Sequence, residues 1–181
     1  IEDDQHLLID PNYRVNPEPD VDLILVTHEH DDHFREEAKT LGAPIWAPKR
    51  AVEAFALDEG PAAVKVVEPG FGDKDVEVRE NYCYGSRESV AYLVHTEVGR
   101  YLHLGDSFKS PDVVTEVVFV PIFADRHEEI MQAVQACRAQ KVYPIHFDPE
   151  EKYDVAQDLV LKIRALGVET EILEIGEWVE G

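Results

Sequence analysis

The sequence has few cysteines and no long apolar run. Its two cysteines, Cys83 and Cys137, lie far apart and outside any Cys-x-x-Cys motif. A disulfide framework is therefore excluded, and a reducing cytoplasm is the expected location. No stretch reaches about 18 apolar residues, and the acidic start has no signal-peptide pattern, so neither a membrane span nor a membrane partner is expected.

Basic residues are also scarce, with 17 Lys and Arg against 38 Asp and Glu and a formal net charge of -21. Such a surface repels phosphate backbones, so a nucleic-acid partner is disfavoured. A nuclease stays open, because bound divalent metal inverts the local field. With 181 residues, 44% of them hydrophobic, the chain is long enough for one compact domain, 1–181, with a sizeable core.

Short apolar runs alternate with amphipathic segments along the chain. The run 21–27 predicts a buried strand, and 171–175 a final one. Asp125 and Glu128 form a capping-box pattern that predicts the start of a helix. Asp154 is the expected cap of a later helix. Predicted strands dominate the first half of the chain, and predicted strands alternate with helices in the second half. This order of elements predicts a layered α/β or α+β sandwich.

The densest cluster of metal-ligand residue types directly follows the first predicted buried strand. Residues 27–33 read Thr-His-Glu-His-Asp-Asp-His, in a chain with only eight histidines. Since residues two apart in an extended segment point the same way, His28 and His30 are expected to face one metal. After the chain turns, Asp32 and His33 are expected to face a second. Imidazole and carboxylate ligands suit zinc, and also manganese or iron.

Two later strands end in further candidate ligands. The run 101–104 leads into Gly105 and Asp106, and 142–145 leads into His146. Because open α/β sheets place their sites at the carboxyl ends of strands, Asp106 and His146 are predicted to join the cluster. Taken alone, Asp106 is also typical of a turn and His146 of a core histidine.

These segments, in this order, resemble the metallo-β-lactamase superfamily. More closely, they resemble its branch related to ascorbate-6-phosphate lactonase, whose members are described as metal-dependent hydrolases. The segments are 8–11, 25–33, 103–107, 120–122 and 143–147. The His-x-His-x-Asp-His motif is specific, whereas the other segments are weak alone. The resemblance implies a four-layer αββα sandwich.

The resemblance also implies a site for two divalent metal ions, with zinc favoured over manganese or iron. The implied ligands are His28 and His30 for the first ion, Asp32, His33 and His146 for the second, and Asp106 as a bridge between them. Asp10 would orient the ligands by hydrogen bonds without binding a metal itself.

Two departures from the family pattern bear on the fold and the site. The chain begins almost at the Leu-Ile-Asp-Pro segment, so either the fold is shortened at its N-terminus or the sequence is incomplete. A lost edge strand would favour a homo-oligomer. Relatives also carry a metal-binding histidine on the loop that corresponds to residues 80–85, and this loop contains no histidine here. Cys83 is the candidate replacement ligand, although an unpaired cysteine is also typical of a small buried hydrophobe. His95 and His103 are alternatives, and without a replacement the first site would be weak.

The leading functional prediction is a metal-dependent hydrolase acting on a small-molecule ester, lactone or phosphoester. Water bound by the metals would lose a proton near neutral pH and attack, with Asp32 as the catalytic residue that holds or relays the proton. Two alternatives stay open. One is a degenerate, non-catalytic member that binds one metal or none and has a structural or regulatory role. The other is a di-iron oxidoreductase of the same fold.

Overall fold

The first of two β-sheets carries the residues that lead into the histidine motif. The computed structural model describes residues 5–17 and 20–176. The sheet consists of β1 (Leu7–Ile9), β2 (Leu23–Leu25), β3 (Ile45–Ala47) and β4 (Val64–Val66). These strands run parallel in the order β1-β2-β3-β4. The ends of β1 and β2 therefore lie side by side, which brings Asp10 next to the start of the motif.

The second sheet carries the other candidate ligands. Its strands are β5 (Val76–Glu80), β6 (Val90–His95), β7 (Arg100–His103), β8 (Val117–Pro121), β9 (Lys141–Ile145) and β10 (Glu169–Thr170). They lie in the order β10-β9-β8-β7-β6-β5, antiparallel from β5 to β7 and parallel from β7 to β10. Because β7 and β9 run in the same direction, Asp106 and His146 follow them at the same edge of the sheet.

Helices cover the outer face of each sheet. They are α1 (Lys49–Ala54), α2 (His127–Ala136) and α3 (Pro149–Ala165). Short 3-10 segments lie at Asp31–His33, Glu36–Leu41, Leu57–Glu59 and Ala124–Arg126. None of the described helices is both long and apolar enough to cross a membrane.

Three apolar clusters show how the layers stack. One lies between the two sheets and contains Leu25, Val78 and Tyr92. A second packs α2 and α3 on the outer face of the second sheet, and a third packs α1 on the outer face of the first. The Tyr92 hydroxyl joins the sheets, donating to the carbonyl oxygens of Val26 at 2.9 Å and Trp46 at 3.2 Å. The predicted αββα sandwich is confirmed.

Two predicted helix caps are wrong. Asp125 lies within a 3-10 turn, and no side chain caps α2. The last helix begins before Asp154, at Pro149, and the Asp148 carboxylate caps it by accepting the Glu150 backbone N–H at 2.9 Å. Proline is favoured at the first helical position, where its missing N–H has no intrahelical partner to lose.

The final strand is also displaced from its predicted place. The structure places it at Glu169–Thr170 and not at 171–175. The reason is register: Glu169 pairs with Lys141 and Thr170 with Val142 in β9, which leaves the more apolar stretch beyond the paired edge. That stretch still contributes to packing, because Ile172 and Leu173 contact the apolar clusters.

Candidate metal centre

The histidine motif leaves β2 at its carboxyl end and turns back on itself. His28 is fully buried, and the 3-10 segment Asp31–His33 reverses the chain so that His33 is also buried. The His28 and His33 ring centroids lie 4.0 Å apart, and His28 Nε2 lies 2.9 Å from His30 Nδ1. The imidazoles of three of these six consecutive residues thus come together. This is the arrangement expected when side chains alternate along an extended segment and the chain then turns.

A first group of donor atoms combines residues from three segments of the chain. It consists of His28, His30, Cys83 and Asp106, whose donor atoms all lie within 4.8 Å of one another. Cys83 Sγ lies 3.9 Å from His30 Nδ1, and Asp106 Oδ2 lies 3.6 Å from His28 Nε2. Donor atoms this close fit around a single ion whose ligand bonds are about 2.0–2.3 Å long.

A second group lies beside the first. Its members are Asp32, His33 and His146, again with donor atoms within 4.8 Å of one another. His146 Nε2 lies 3.0 Å from Asp32 Oδ2. His146 comes from the end of β9, more than a hundred residues from the motif, and parallel strand order is what brings it here.

Asp106 lies between the two groups. Its Oδ2 faces His28, while its Oδ1 lies 3.0 Å from His33 Nε2 and 3.2 Å from His146 Nε2. Oδ1 is buried, yet it makes no hydrogen bond of standard geometry. A buried carboxylate oxygen surrounded by ring nitrogens at unfavourable hydrogen-bond angles is an environment that a cation satisfies. The donor set and its geometry therefore fit divalent metal ions.

Asp10 supports the imidazoles of both groups. Its carboxylate lies 2.9 Å from His33 Nδ1 and accepts the backbone N–H and the hydroxyl proton of Thr27. Since that hydroxyl donates to Asp10, Thr27 Oγ1 accepts from His28 Nδ1 at 2.9 Å. With a metal bound, each of these two histidines would keep its proton on Nδ1 and offer the Nε2 lone pair as the ligand.

Electrostatics at the centre favour positive charge. Burial raises the pKa of Asp106, but the adjacent imidazoles of His28 and His33 outweigh it and hold that pKa well below its usual range. Burial lowers the pKa of His33, but the charges of Asp10 and Asp106 outweigh it and raise that pKa to about 10. Carboxylates so close together stabilise a cation between them, whether a proton or a metal ion.

The alternative histidines join neither group. Burial lowers the pKa of His103 to about 4, and its Nδ1 accepts the Gly105 backbone N–H at 3.1 Å, so it shapes the turn before Asp106. His95 pairs with Glu77 at 2.8 Å on β5 and β6. Of the three candidate replacements, only Cys83 reaches the first group.

Residues that the sequence does not single out hold the centre in place. The Glu29 carboxylate accepts the Ser86 hydroxyl at 2.6 Å and the Arg87 backbone N–H at 3.0 Å, which ties the motif to the loop that carries Cys83. Partial burial raises the pKa of Glu29, but the bond from Ser86 and the bond from Arg87 outweigh it and lower that pKa.

The other end of the same loop is also fixed. The Asn81 amide donates to the carbonyl oxygen of Leu104 at 2.8 Å, next to the turn that carries Asp106. Gly105 in that turn has φ +52°, and a Cβ there would lie 2.6 Å from Thr27 Oγ1. No sequence signal indicates these contacts, because each joins segments far apart in the chain.

Two cavities open onto the centre, one at each donor group. A cavity of about 480 Å³ reaches Asp32, His33 and His146 and also contains Arg14 and Lys152. A cavity of about 360 Å³ reaches Cys83 and Asp106, and its walls include Phe108, Phe123 and Arg126. Both donor groups are therefore open to a small molecule.

Comparison with known families agrees with this geometry. The model of a beta-lactamase superfamily domain matches residues 1–146. The chain belongs to the metallo-β-lactamase superfamily. A UPF0173 protein of Pyrococcus furiosus is 32% identical over 168 residues, which cover 80% of this chain and 79% of the relative. A UPF0173 metal-dependent hydrolase of Methanopyrus kandleri is 29% identical over 221 residues, which cover 98% of this chain and 93% of the relative.

Solved structures show the same metallo-β-lactamase fold. The metallo-β-lactamase fold protein YhfI from Bacillus subtilis matches with a TM-score of 0.63 at 12% identity, covering 87% of this chain and 77% of YhfI. Zinc-bound PqqB from Methylobacterium extorquens matches with a TM-score of 0.61 at 8% identity, covering 92% of this chain and 80% of PqqB. At such low identity, these likenesses establish the fold alone.

Proposed function

We propose that this chain is a metal-dependent hydrolase that holds two divalent ions side by side and acts on a small-molecule substrate. The observation that carries the proposal is the position of Asp106, whose two carboxylate oxygens face two separate groups of donor atoms. The hydrolase names of the UPF0173 relatives support the activity. A carboxylate shared by two ions is a common feature of two-metal hydrolytic sites.

The residues divide between the two ions as the donor groups indicate. His28 and His30 would hold the first ion, and Asp32, His33 and His146 the second, with Asp106 shared. Zinc is the favoured ion, because nitrogen, oxygen and sulfur donors together suit it well. The zinc found in PqqB supports this choice. Manganese or iron would also suit the imidazole and carboxylate donors.

Asp32 is the acidic residue that a reacting water molecule can reach. Its side chain is 52% exposed, whereas that of Asp106 is 7% exposed. Bound divalent ions would activate water as a nucleophile and polarise the attacked oxygen. Asp32 would take up the proton that the water loses and pass it to the leaving group. We therefore assign Asp32 as the catalytic residue.

The cavities favour an uncharged or weakly charged ester or lactone over a phosphoester. Arg14 in the larger cavity is paired with Asp148, and Arg126 in the smaller one is 3.1 Å from Glu129. Two of the three cations that line these cavities are thus paired with carboxylates, Lys152 being the exception among the described residues, and the net charge of -21 repels strongly anionic substrates.

A non-catalytic role is the less favoured alternative. The absence of the family's histidine from the loop 80–85 favoured this alternative. Cys83 in that loop, however, lies close enough to His28, His30 and Asp106 to complete the first donor group. The open cavities at the two donor groups also favour a reacting substrate over a closed structural metal site.

The test combines metal content with hydrolysis. Metal-free protein is reloaded with zinc or manganese, and its metal content is measured by elemental analysis. Hydrolysis of a nitrophenyl ester, a simple lactone and bis-nitrophenyl phosphate is then followed. We expect about two equivalents of metal. We also expect ester or lactone turnover that Asp32→Asn lowers by about 10²–10⁴-fold.

Asp31→Asn is the matched control, because Asp31 is an exposed acid in the same motif and belongs to neither donor group. Its turnover should equal that of the unchanged protein. Full metal loading without hydrolysis of any substrate in the panel would overturn the hydrolase proposal. One equivalent or less after reloading would overturn the two-ion assignment.

A further inference from the structure

We infer that Cys83 is a thiolate ligand of the first ion, so that the two metal positions differ in chemical softness and select different ions. The inference rests on the proposed function, since it concerns the same centre. It adds that the first position takes a soft or borderline ion such as zinc, whereas the second also accepts a harder ion such as manganese.

The surroundings of Cys83 are those of a ligand and not of a packing residue. It is buried, but it belongs to none of the three apolar clusters of the described residues. Its Sγ lies 3.9 Å from His30 Nδ1, and the oxygens of Asp106 and the ring of His28 complete the group.

Cys137 shows what a packing cysteine looks like in the same molecule. It is fully buried in the cluster between α2 and the second sheet, beside Ile130 and Val134. Its Sγ contacts the Val134 carbonyl oxygen at 3.3 Å, much as Cys83 Sγ contacts that of Tyr84 at 3.5 Å, so the difference lies in the other neighbours. No imidazole or carboxylate donor is grouped with it among the described residues. The two cysteines therefore occupy chemically opposite environments.

A second observation independent of the sulfur points to an ion at this place. The Asp106 side chain is 7% exposed, and its Oδ2, the oxygen that faces the first group, lies 3.6 Å from His28 Nε2, beyond hydrogen-bond distance. The loop that carries Cys83 is also held at both ends, by Asn81 to Leu104 and by Glu29 to Ser86 and Arg87.

The consequence for metal choice follows from donor chemistry. The first group offers two imidazoles, a thiolate and a carboxylate, whereas the second offers two imidazoles and two carboxylates. Thiolate ligands favour zinc and other soft or borderline ions, while carboxylate ligands suit manganese. We therefore expect zinc to fill both positions and manganese to fill chiefly the second.

Cobalt(II) substitution tests the sulfur bond directly. Cobalt(II) is added to metal-free protein, and absorbance is followed in the near ultraviolet, where sulfur-to-cobalt charge transfer appears. We expect the band in the unchanged protein and in Cys137→Ala, and its loss in Cys83→Ser. The zinc affinity of the first position should fall in Cys83→Ser by at least the roughly 10–100-fold that loss of a supporting partner costs.

Cys83→His separates a ligand role from a structural one. Imidazole can bind the ion but gives no sulfur band, so this variant should bind about two zinc ions without the charge-transfer absorbance. It should also bind manganese at the first position more readily than the unchanged protein does.

The outcomes distinguish this inference from the proposed function. If cobalt binds to the unchanged protein without a sulfur band, or if Cys83→Ser keeps the band, the thiolate inference is wrong and the hydrolase proposal stands. If equal amounts of zinc and manganese bind, the selectivity is wrong. If no ion binds to the unchanged protein, both proposals fail.

Discussion

The Asp10 carboxylate accepts two hydrogen bonds from Thr27, one from the backbone N–H and one from the hydroxyl, each 2.7 Å long. This pair joins the ends of two neighbouring parallel strands at the point where the histidine motif begins. Asp10 adopts φ +47°, a left-handed conformation that costs a non-glycine residue roughly 1–2 kcal/mol. The contacts that Asp10 makes offset this strain and orient the imidazoles of both donor groups.

Asp10→Asn should weaken metal binding without unfolding the protein. The amide loses the negative charge that faces His33 Nδ1, and it has one acceptor oxygen where Asp10 has two. Replacing such a supporting partner typically lowers metal affinity by about 10–100-fold. Competition with a chromophoric chelator measures the zinc dissociation constants, and circular dichroism checks the fold.

Asp31→Asn is the control for this change, because it removes the same charge from an exposed acid in the neighbouring motif. Its zinc affinity should stay within a factor of a few of the unchanged protein. Equal losses in both variants would show that general charge, and not the contacts of Asp10, sets the affinity.

Gly105→Ala should destabilise the protein and disturb the centre together. The added Cβ would lie 2.6 Å from Thr27 Oγ1, in a residue whose φ is +52°. Gly42→Ala is the matched control, since Gly42 has φ +78° but no atom within 4 Å of its Cβ position. The control isolates the backbone strain, roughly 1–2 kcal/mol.

Urea unfolding should show a larger loss of unfolding free energy for Gly105→Ala than for Gly42→Ala. Zinc affinity should fall only in Gly105→Ala, because only that change displaces the hydroxyl that holds His28 Nδ1. Similar effects of the two variants on both quantities would mean that the contact with Thr27 relaxes without consequence.

The candidate ligands were predictable because their positions follow from local rules. His28 and His30 follow a buried strand at a spacing of two, and Asp106 and His146 end strands whose parallel order places them at one edge. Glu29 was not predictable in its role, since its partner Ser86 lies 57 residues away. The start of α3 was misplaced because Asp148 and Pro149 together outweigh Asp154 as a helix start. Contacts between distant loops leave no periodic trace in a sequence, so only the folded chain reveals them.

Glu116 should make a pH-dependent contribution to stability through the strand that leads to Asp106. The Arg100 side chain hydrogen-bonds to its carboxylate and lowers its pKa. A lowered pKa in the folded state stabilises the protein above the unfolded pKa of about 4.3, and this contribution is lost as the pH falls through the folded value. Because both groups are about one-third exposed, we expect at most about 1 kcal/mol.

Unfolding free energies of the unchanged protein and Glu116→Gln at neutral and acid pH measure this contribution. The difference between the two proteins should be present at pH 7 and should shrink below about pH 4. Glu53→Gln provides the control, because Glu53 pairs with Arg50 on the exposed surface of α1. A difference that stays constant with pH would show that the carboxylate charge of Glu116 is not what stabilises the strand.

Removal of bound metal should lower the stability of the whole molecule, because the donor groups join the ends of β2, β7 and β9. An ion that binds only the folded state stabilises it by about 2.7 kcal/mol when present at 100 times its dissociation constant. Thermal unfolding with excess zinc and with a chelator measures this shift. His146→Asn should reduce it, since asparagine tolerates the φ of +61° at this position but lacks the imidazole. His95→Asn, which changes a histidine outside both groups, should keep the full shift. An equal shift in all three proteins would remove His146 from the metal centre, whereas a shift lost only in His146→Asn would tie the stability of the folded chain to the second donor group.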